Sequence, residues 1–145
     1  MNAAVFKAPK SKLEMEERKR PTPGPGEVLI RVRACGVCHG DLLLQQGGFP
    51  FARYPVVPGH EVAGEVEEVG EGVQWLKSGT RVGVSALYSA CGHCLRCLSG
   101  DEILCAQGWE FTGVTKDGGY QGFMLAPAAY VALLPDTLEI GRAHV

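Results

Sequence analysis

The chain has 145 residues, a formal net charge of −2, and a composition that is 46% hydrophobic and 21% charged. That suits one soluble globular domain with a sizeable core. It leaves no electrostatic case for nucleic acid or an anionic membrane as partner, and no stretch approaches the roughly 20 apolar residues of a membrane span.

Met1 to Lys7 reads as the start of a strand and lacks the longer apolar core of a secretory signal. A reducing, cytoplasmic compartment is therefore expected, in which six cysteines serve more often as metal ligands than as disulfides. Glu14 to Arg20 mixes signs and reads as a solvated face. Pro21 to Gly26 makes a turn, and Glu27 to Ala34 follows with strand alternation. Asp41 to Gln46 is predicted as a brief helical turn, Glu61 to Val69 as a β-rich run with one polar face, and Gly79 to Val84 as a short strand. Leu95 to Leu104 again looks helical, and Tyr120 to Leu125 reads as strand. Many short strands with turns between them predict a mainly β (α+β) chain, a partly closed barrel. No Gly-x-Gly-x-x-Gly occurs: Gly24-Pro25-Gly26 is followed by Leu29 at the third position, and Gly70-Glu71-Gly72 by Trp75. Neither sits between a strand and a helix, so neither is a dinucleotide cradle.

Chemistry concentrates in the thiols. Cys91, Cys94, Cys97 and Cys105 follow one another at spacings x2, x2 and x7. Tetrahedral zinc needs four soft ligands about 2.3 Å from one point, and tight Cys-x-x-Cys turns supply them. All four positions are filled by protein, so this lobe, about 89–106, is predicted to hold a structural zinc. Its rivals are buried unligated thiols, a disulfide pair, and an iron–sulfur cluster, whose bacterial spacing matches the first three cysteines but not Cys105 and Ala106.

A second set of donors lies upstream, in Gly36-Val37-Cys38-His39-Gly40-Asp41 and Pro58-Gly59-His60-Glu61. A thiolate, an imidazole and a carboxylate from two separate turns suit a catalytic zinc, which keeps one position for water or substrate. Asp41 is the natural acceptor for a ring N–H of His60. The same residues are compatible with a hydrogen-bonded structural histidine and a buried thiol. Cys35 is read as packing, because no thioredoxin-like βαβ context surrounds Cys35 and Cys38.

Taken in order, Pro-Gly-Pro-Gly-Glu-Val-Leu-Ile-Arg-Val, Ala-Cys-Gly-Val-Cys-His, Pro-Gly-His-Glu-Val-Ala-Gly, the four-cysteine lobe and Asp117-Gly118-Gly119-Tyr120 resemble the zinc-dependent medium-chain alcohol dehydrogenases. The resemblance covers essentially residues 1–138. It implies a GroES-like catalytic domain over 1–138, with a Rossmann domain following in full-length members and absent here. It also implies Cys38 and His60 as catalytic zinc ligands, Glu61 as a carboxylate able to swing onto the metal, and the four lobe cysteines as structural ligands. Two departures stand out. Gly40 occupies the place of the family's proton-relay Ser or Thr, leaving His39 or a water to substitute, and the remaining catalytic ligand lies beyond this chain.

The implied reaction is oxidation of an alcohol to an aldehyde or ketone with NAD or NADP, in an enzyme expected to be a homo-oligomer when full length. This chain alone is expected to be inactive. Phe49, Phe51, Tyr54 and Trp109 suit either an apolar alcohol pocket or the core. Polyol, formaldehyde and aryl-alcohol dehydrogenases are alternatives within the class; outside it stand a zinc-ribbon binding module and an iron–sulfur electron carrier. Residues 139–145, Glu-Ile-Gly-Arg-Ala-His-Val, abandon the family pattern and are what a common sequencing-adapter oligonucleotide encodes in frame. They are expected to be a non-native tail.

Overall fold

The computed structural model describes residues 1–140. Its first element is a hairpin, β1 (Asn2–Phe6) against β2 (Leu13–Glu17), with Asn2 opposite Glu17. Strand β1 is apolar and buried, whereas β2 is exposed, so the charged run does face solvent. It is nevertheless a paired strand for part of its length, because ladder hydrogen bonds need no apolar side chain. Glu16 answers Lys7 and Arg18 across that surface.

The scaffold is a curled five-stranded antiparallel sheet. It comprises β3 (Glu27–Cys35), β4 (Val62–Val69), β5 (Arg81–Val84), β8 (Phe123–Pro127) and β9 (Val131–Leu133), in the order β8-β3-β4-β5-β9. One face of these strands is apolar and packs around Val28, Ile30, Val66, Val82 and Met124, all essentially inaccessible to water. Each such side chain contributes roughly 1.5–3 kcal/mol relative to exposure. The opposite face carries charge, and the Arg31 guanidinium is bidentate to Glu67 at 3.0 and 2.8 Å.

A two-stranded ribbon, β6 (Leu87–Ala90) with β7 (Trp109–Phe111), stands apart and carries the cysteine segment. The predicted helix over 95–104 is two short pieces, α2 (Leu95–Leu98) and a 3-10 turn at Glu102–Leu104, separated where Gly100 takes a φ of 85°. Helix α1 (His39–Gln45) starts two residues earlier than expected, because Cys38 caps it. The strand predicted from Tyr120 begins only at Phe123, since Tyr120 turns inward. No helix among the described residues is long and apolar enough to cross a membrane.

Beyond β9, Arg81 ties down residues 135–138. Its Nη1 donates to the carbonyls of Pro135 (3.0 Å) and Asp136 (2.8 Å), and its Nη2 to that of Leu138. Residues 141–145 of the expected non-native tail lie outside the described residues; Glu139 and Ile140 border a cavity considered below. The anchoring carbonyls all precede Glu139. Deleting residues 139–145 is therefore expected to move the melting temperature by less than about 2 °C. A loss of many degrees in a thermal melt would show that the tail docks.

Candidate metal centres

The four lobe cysteines converge. Their sulfurs lie within 4.8 Å of one another, with Cys94–Cys97 at 3.5 Å, Cys91–Cys97 at 3.8 Å and Cys94–Cys105 at 4.0 Å. A tetrahedral zinc with bonds of about 2.3 Å has sulfur–sulfur edges of about 3.8 Å. The donor set therefore fits zinc both in chemistry and in spacing. The backbone amides of Cys97 and Ala106 hold the Cys94 thiol down to about 6, and those of Cys91 and Gln107 lower Cys105, while burial pushes Cys97 up. Amide dipoles thus already favour anionic sulfur at two of the four corners. His93 spans the lobe, with Nδ1 2.7 Å from the Cys91 carbonyl and Nε2 3.0 Å from Gln107 Oε1.

The second centre forms where the loop after β3 meets the turn before β4. Cys38 Sγ lies 3.0 Å from His60 Nε2, and the other ring nitrogen, Nδ1, is 3.8 Å from Asp41 Oδ1. Local sequence explains both placements. Cys38 and Asp41 form a capping box on α1: the Gly40 amide donates to Cys38 Sγ at 3.3 Å, and the Cys38 amide to Asp41 Oδ2 at 3.0 Å. His60 follows Gly59, whose φ of 94° turns the chain into β4 and aims its amide at Asp41 Oδ1, 3.2 Å away. Asp41 is only 6% exposed and is held from three segments, the third being Tyr120, whose hydroxyl donates to Oδ2 at 2.9 Å.

The structure gathers Cys38, Asp41 and His60 as potential donors within 4.8 Å of one another; Glu61 stands beside them on the cavity wall, outside that group. His39 is exposed and also outside it. A Cβ at position 40 would sit 3.0 Å from His60 Cε1 and 3.3 Å from Cys38 Sγ, so Gly40 keeps one flank of the pair clear. Cys35 is half-buried under Gly59 and Gly119, and burial pushes its thiol up to about 11.

A cavity of about 590 Å³ opens beside His60 and Glu61, walled by Val62 and Ala63 of β4, Val84 of β5, and Leu134 and Leu138 beyond β9. Phe49, Phe51, Tyr54 and Trp109 do not line it. Phe49 and Tyr54 pack against the cluster of Phe6, Leu44 and Val56, while Phe51 meets Trp109 edge-on at 4.9 Å.

Tyr120 is the site residue that the sequence leaves without a role. It stands at the end of Asp117-Gly118-Gly119-Tyr120, and the signal available was two glycines before an aromatic in a turn. Those glycines let the turn zip onto Val57 to Gly59: Gly118 donates to the Val57 carbonyl at 2.7 Å, Gly119 to Gly59 at 2.8 Å and Tyr120 to Pro58 at 3.0 Å.

Residues 24–136 match the alcohol dehydrogenase GroES-like domain. An alcohol dehydrogenase of Geobacillus stearothermophilus is 48% identical over 144 residues, which are 99% of this chain and 42% of that protein. A thermostable alcohol dehydrogenase from Pyrobaculum aerophilum, solved with cobalt and zinc bound, superposes with a TM-score of 0.83 at 38% identity, over 92% of this chain and 41% of its own. An NAD-dependent alcohol dehydrogenase gives 0.84 at 31% identity, over 96% and 41%. The chain thus spans about two fifths of the length of these relatives.

Proposed function

Because this chain belongs to the alcohol dehydrogenase GroES-like domain family, we propose that it supplies the metal-binding catalytic part, residues 1–138, of an NAD(P)-dependent dehydrogenase interconverting an alcohol with an aldehyde or ketone. The observation that carries this reading is the 3.0 Å approach of Cys38 Sγ to His60 Nε2 beside an apolar cavity. A half-buried thiol–imidazole pair with a buried carboxylate behind it is a donor set for zinc with room for an exchangeable ligand. Cys38 and His60 hold that ion in this reading, with Glu61 the adjacent carboxylate, and the lobe cysteines hold a second, structural zinc. Bound zinc would supply Lewis acidity at the substrate oxygen, and a nicotinamide, NAD or NADP, would take the hydride.

The chain's own residues do the rest. Asp41 orients the His60 ring, so that Nε2 faces Cys38. Val62, Val84 and Leu134 exclude water around the carbon chain of the alcohol, which favours an apolar substrate over a polyol. Gly40 brings no hydroxyl, so the alcohol proton passes to water or to His39 and not to a side chain at position 40.

The test is a chimera in which this chain replaces the matching 144 residues of the Geobacillus stearothermophilus relative. The chimera is expected to oxidise simple alcohols. Cys38→Ala or His60→Ala is expected to cut turnover roughly 10³-fold, the loss of several kcal/mol of charge stabilisation. The 145 residues alone, containing no Gly-x-Gly-x-x-Gly, are expected to show no NAD(P)-linked turnover, because positioning the two reactants is worth about 7–11 kcal/mol. A folded, metal-loaded chimera inactive across primary, secondary and aryl alcohols would refute the proposal.

A further inference from the structure

We infer that Tyr120 is a positioning residue for the Cys38–His60 centre, acting through Asp41; this rests on the functional reading above. The observations are geometric. The Tyr120 hydroxyl donates to Asp41 Oδ2 at 2.9 Å and lies 3.3 Å from the Gly36 carbonyl, linking the 117–120 turn to the loop after β3. Its ring lies against Gly59, where an added Cβ would come within 2.6 Å of Tyr120 Cδ1. One side chain therefore touches both segments that bring the donors together, 36–41 and 58–60.

Asp41 needs such a partner. A carboxylate has two oxygens to place, and here Oδ1 takes the Gly59 amide while facing His60 Nδ1, and Oδ2 takes the Cys38 amide. Those two amides belong to the same two segments that the carboxylate is meant to hold together. Tyr120 is the donor to Asp41 that is also anchored outside both segments: the Ala4 amide of β1 donates to its backbone carbonyl at 2.8 Å. The hydroxyl thus sets the rotation of the carboxylate, and the carboxylate sets the His60 ring. A carboxylate directly behind a metal-ligating histidine typically changes metal affinity about 10–100-fold when removed, which bounds what Tyr120 can contribute through it.

The experiment is a double-mutant cycle with Tyr120→Phe, which removes the hydroxyl and keeps the ring, and Asp41→Asn. Cobalt(II) is titrated into the 145-residue chain with the four-thiol lobe already filled with zinc, and thiolate-to-cobalt absorption reports binding at Cys38. Tyr120→Phe is expected to weaken binding about tenfold, with the melting temperature nearly unchanged. In the Asp41→Asn background the same change is expected to have almost no effect, because the route through Asp41 is already cut. Equal losses in both backgrounds, or no loss in either, would overturn the inference.

The two readings separate cleanly. Wild-type chain that takes no cobalt at Cys38 counts against the functional proposal, and the ring-nitrogen NMR shifts of His60 then decide this one. A His60 ring held with its proton on Nδ1 in wild type and mixed in Tyr120→Phe supports positioning by Tyr120. Indistinguishable shifts in the two proteins overturn it.

Discussion

Stripping metal from the chain with a strong chelator, or replacing Cys97 with Ser, is expected to unravel residues 91–105 while the five-stranded sheet survives. The lobe has almost no apolar core to hold it. Leu95 is 85% exposed, Leu98 71% and Leu104 58%, and the buried residues within it are Cys97 and Cys105. Two short helical pieces of four and three residues have no stability of their own. The free energy holding four thiols at 3.5–4.0 Å must come from their ligand, and zinc contributes about 10–16 kcal/mol in small zinc modules. Metal analysis is expected to find about one tightly held zinc per chain at the lobe, lost in Cys97→Ser. Amide hydrogen exchange is expected to accelerate across 91–105 and to stay slow in β3 and β4. Iron with acid-labile sulfide in the purified chain, or lobe amides still protected in Cys97→Ser, would remove the zinc assignment.

Gly59→Ala is expected to destabilise the fold by about 3–5 kcal/mol, lowering the melting temperature by roughly 10–15 °C. Two costs add. A φ of 94° disfavours any residue with a Cβ, and the added methyl would meet Tyr120 Cδ1 at 2.6 Å and Cys35 Sγ at 2.7 Å. Neither neighbour can yield, since Tyr120 is tied to Asp41 and Cys35 belongs to β3. Gly72 provides the matched comparison: its φ is 81°, yet a Cβ there would meet nothing within 4 Å. Gly72→Ala is expected to cost only about 1–2 kcal/mol, from backbone strain alone. Equal midpoints for the two variants in a denaturant titration would show that the crowding at Gly59 relaxes.

Both donor clusters were legible as groupings because each is local: four cysteines within fifteen positions, and Cys38 and His60 each placed by its own short turn. Strands β3 and β4 were legible from alternation, since one face is buried against Val82 and Met124. Strands β6, β7 and β9 were not, being three or four residues long and too short to show a period. Strand β2 was hidden for the opposite reason, as pairing and not burial holds it. Tyr120 escaped notice as a partner of Asp41 because 79 residues separate them, and no periodicity reports a contact across that span. Phe51 and Trp109 satisfy one another through ring packing, and hydrophobicity alone does not tell a pocket wall from a core.

The strand order carries a consequence for how the molecule is made. During vectorial synthesis β3, β4 and β5 emerge in succession and can pair as a meander, but the strands that flank them, β8 and β9, emerge only about forty residues or more after β5. Until Phe123 to Leu133 are out, the nascent sheet carries two bare edges, one along Glu27 to Arg31 and the other along Val82 to Val84. Bare edges template pairing with other chains, and long-range closure of this kind is slow. The Asp117-Gly118-Gly119-Tyr120 turn emerges just ahead of these closing strands and already finds its partners in Val57 to Gly59. Docking of that turn leaves β8 three residues from the edge of β3, so the contacts that bring Cys38 and His60 together also shorten the search that seals the sheet.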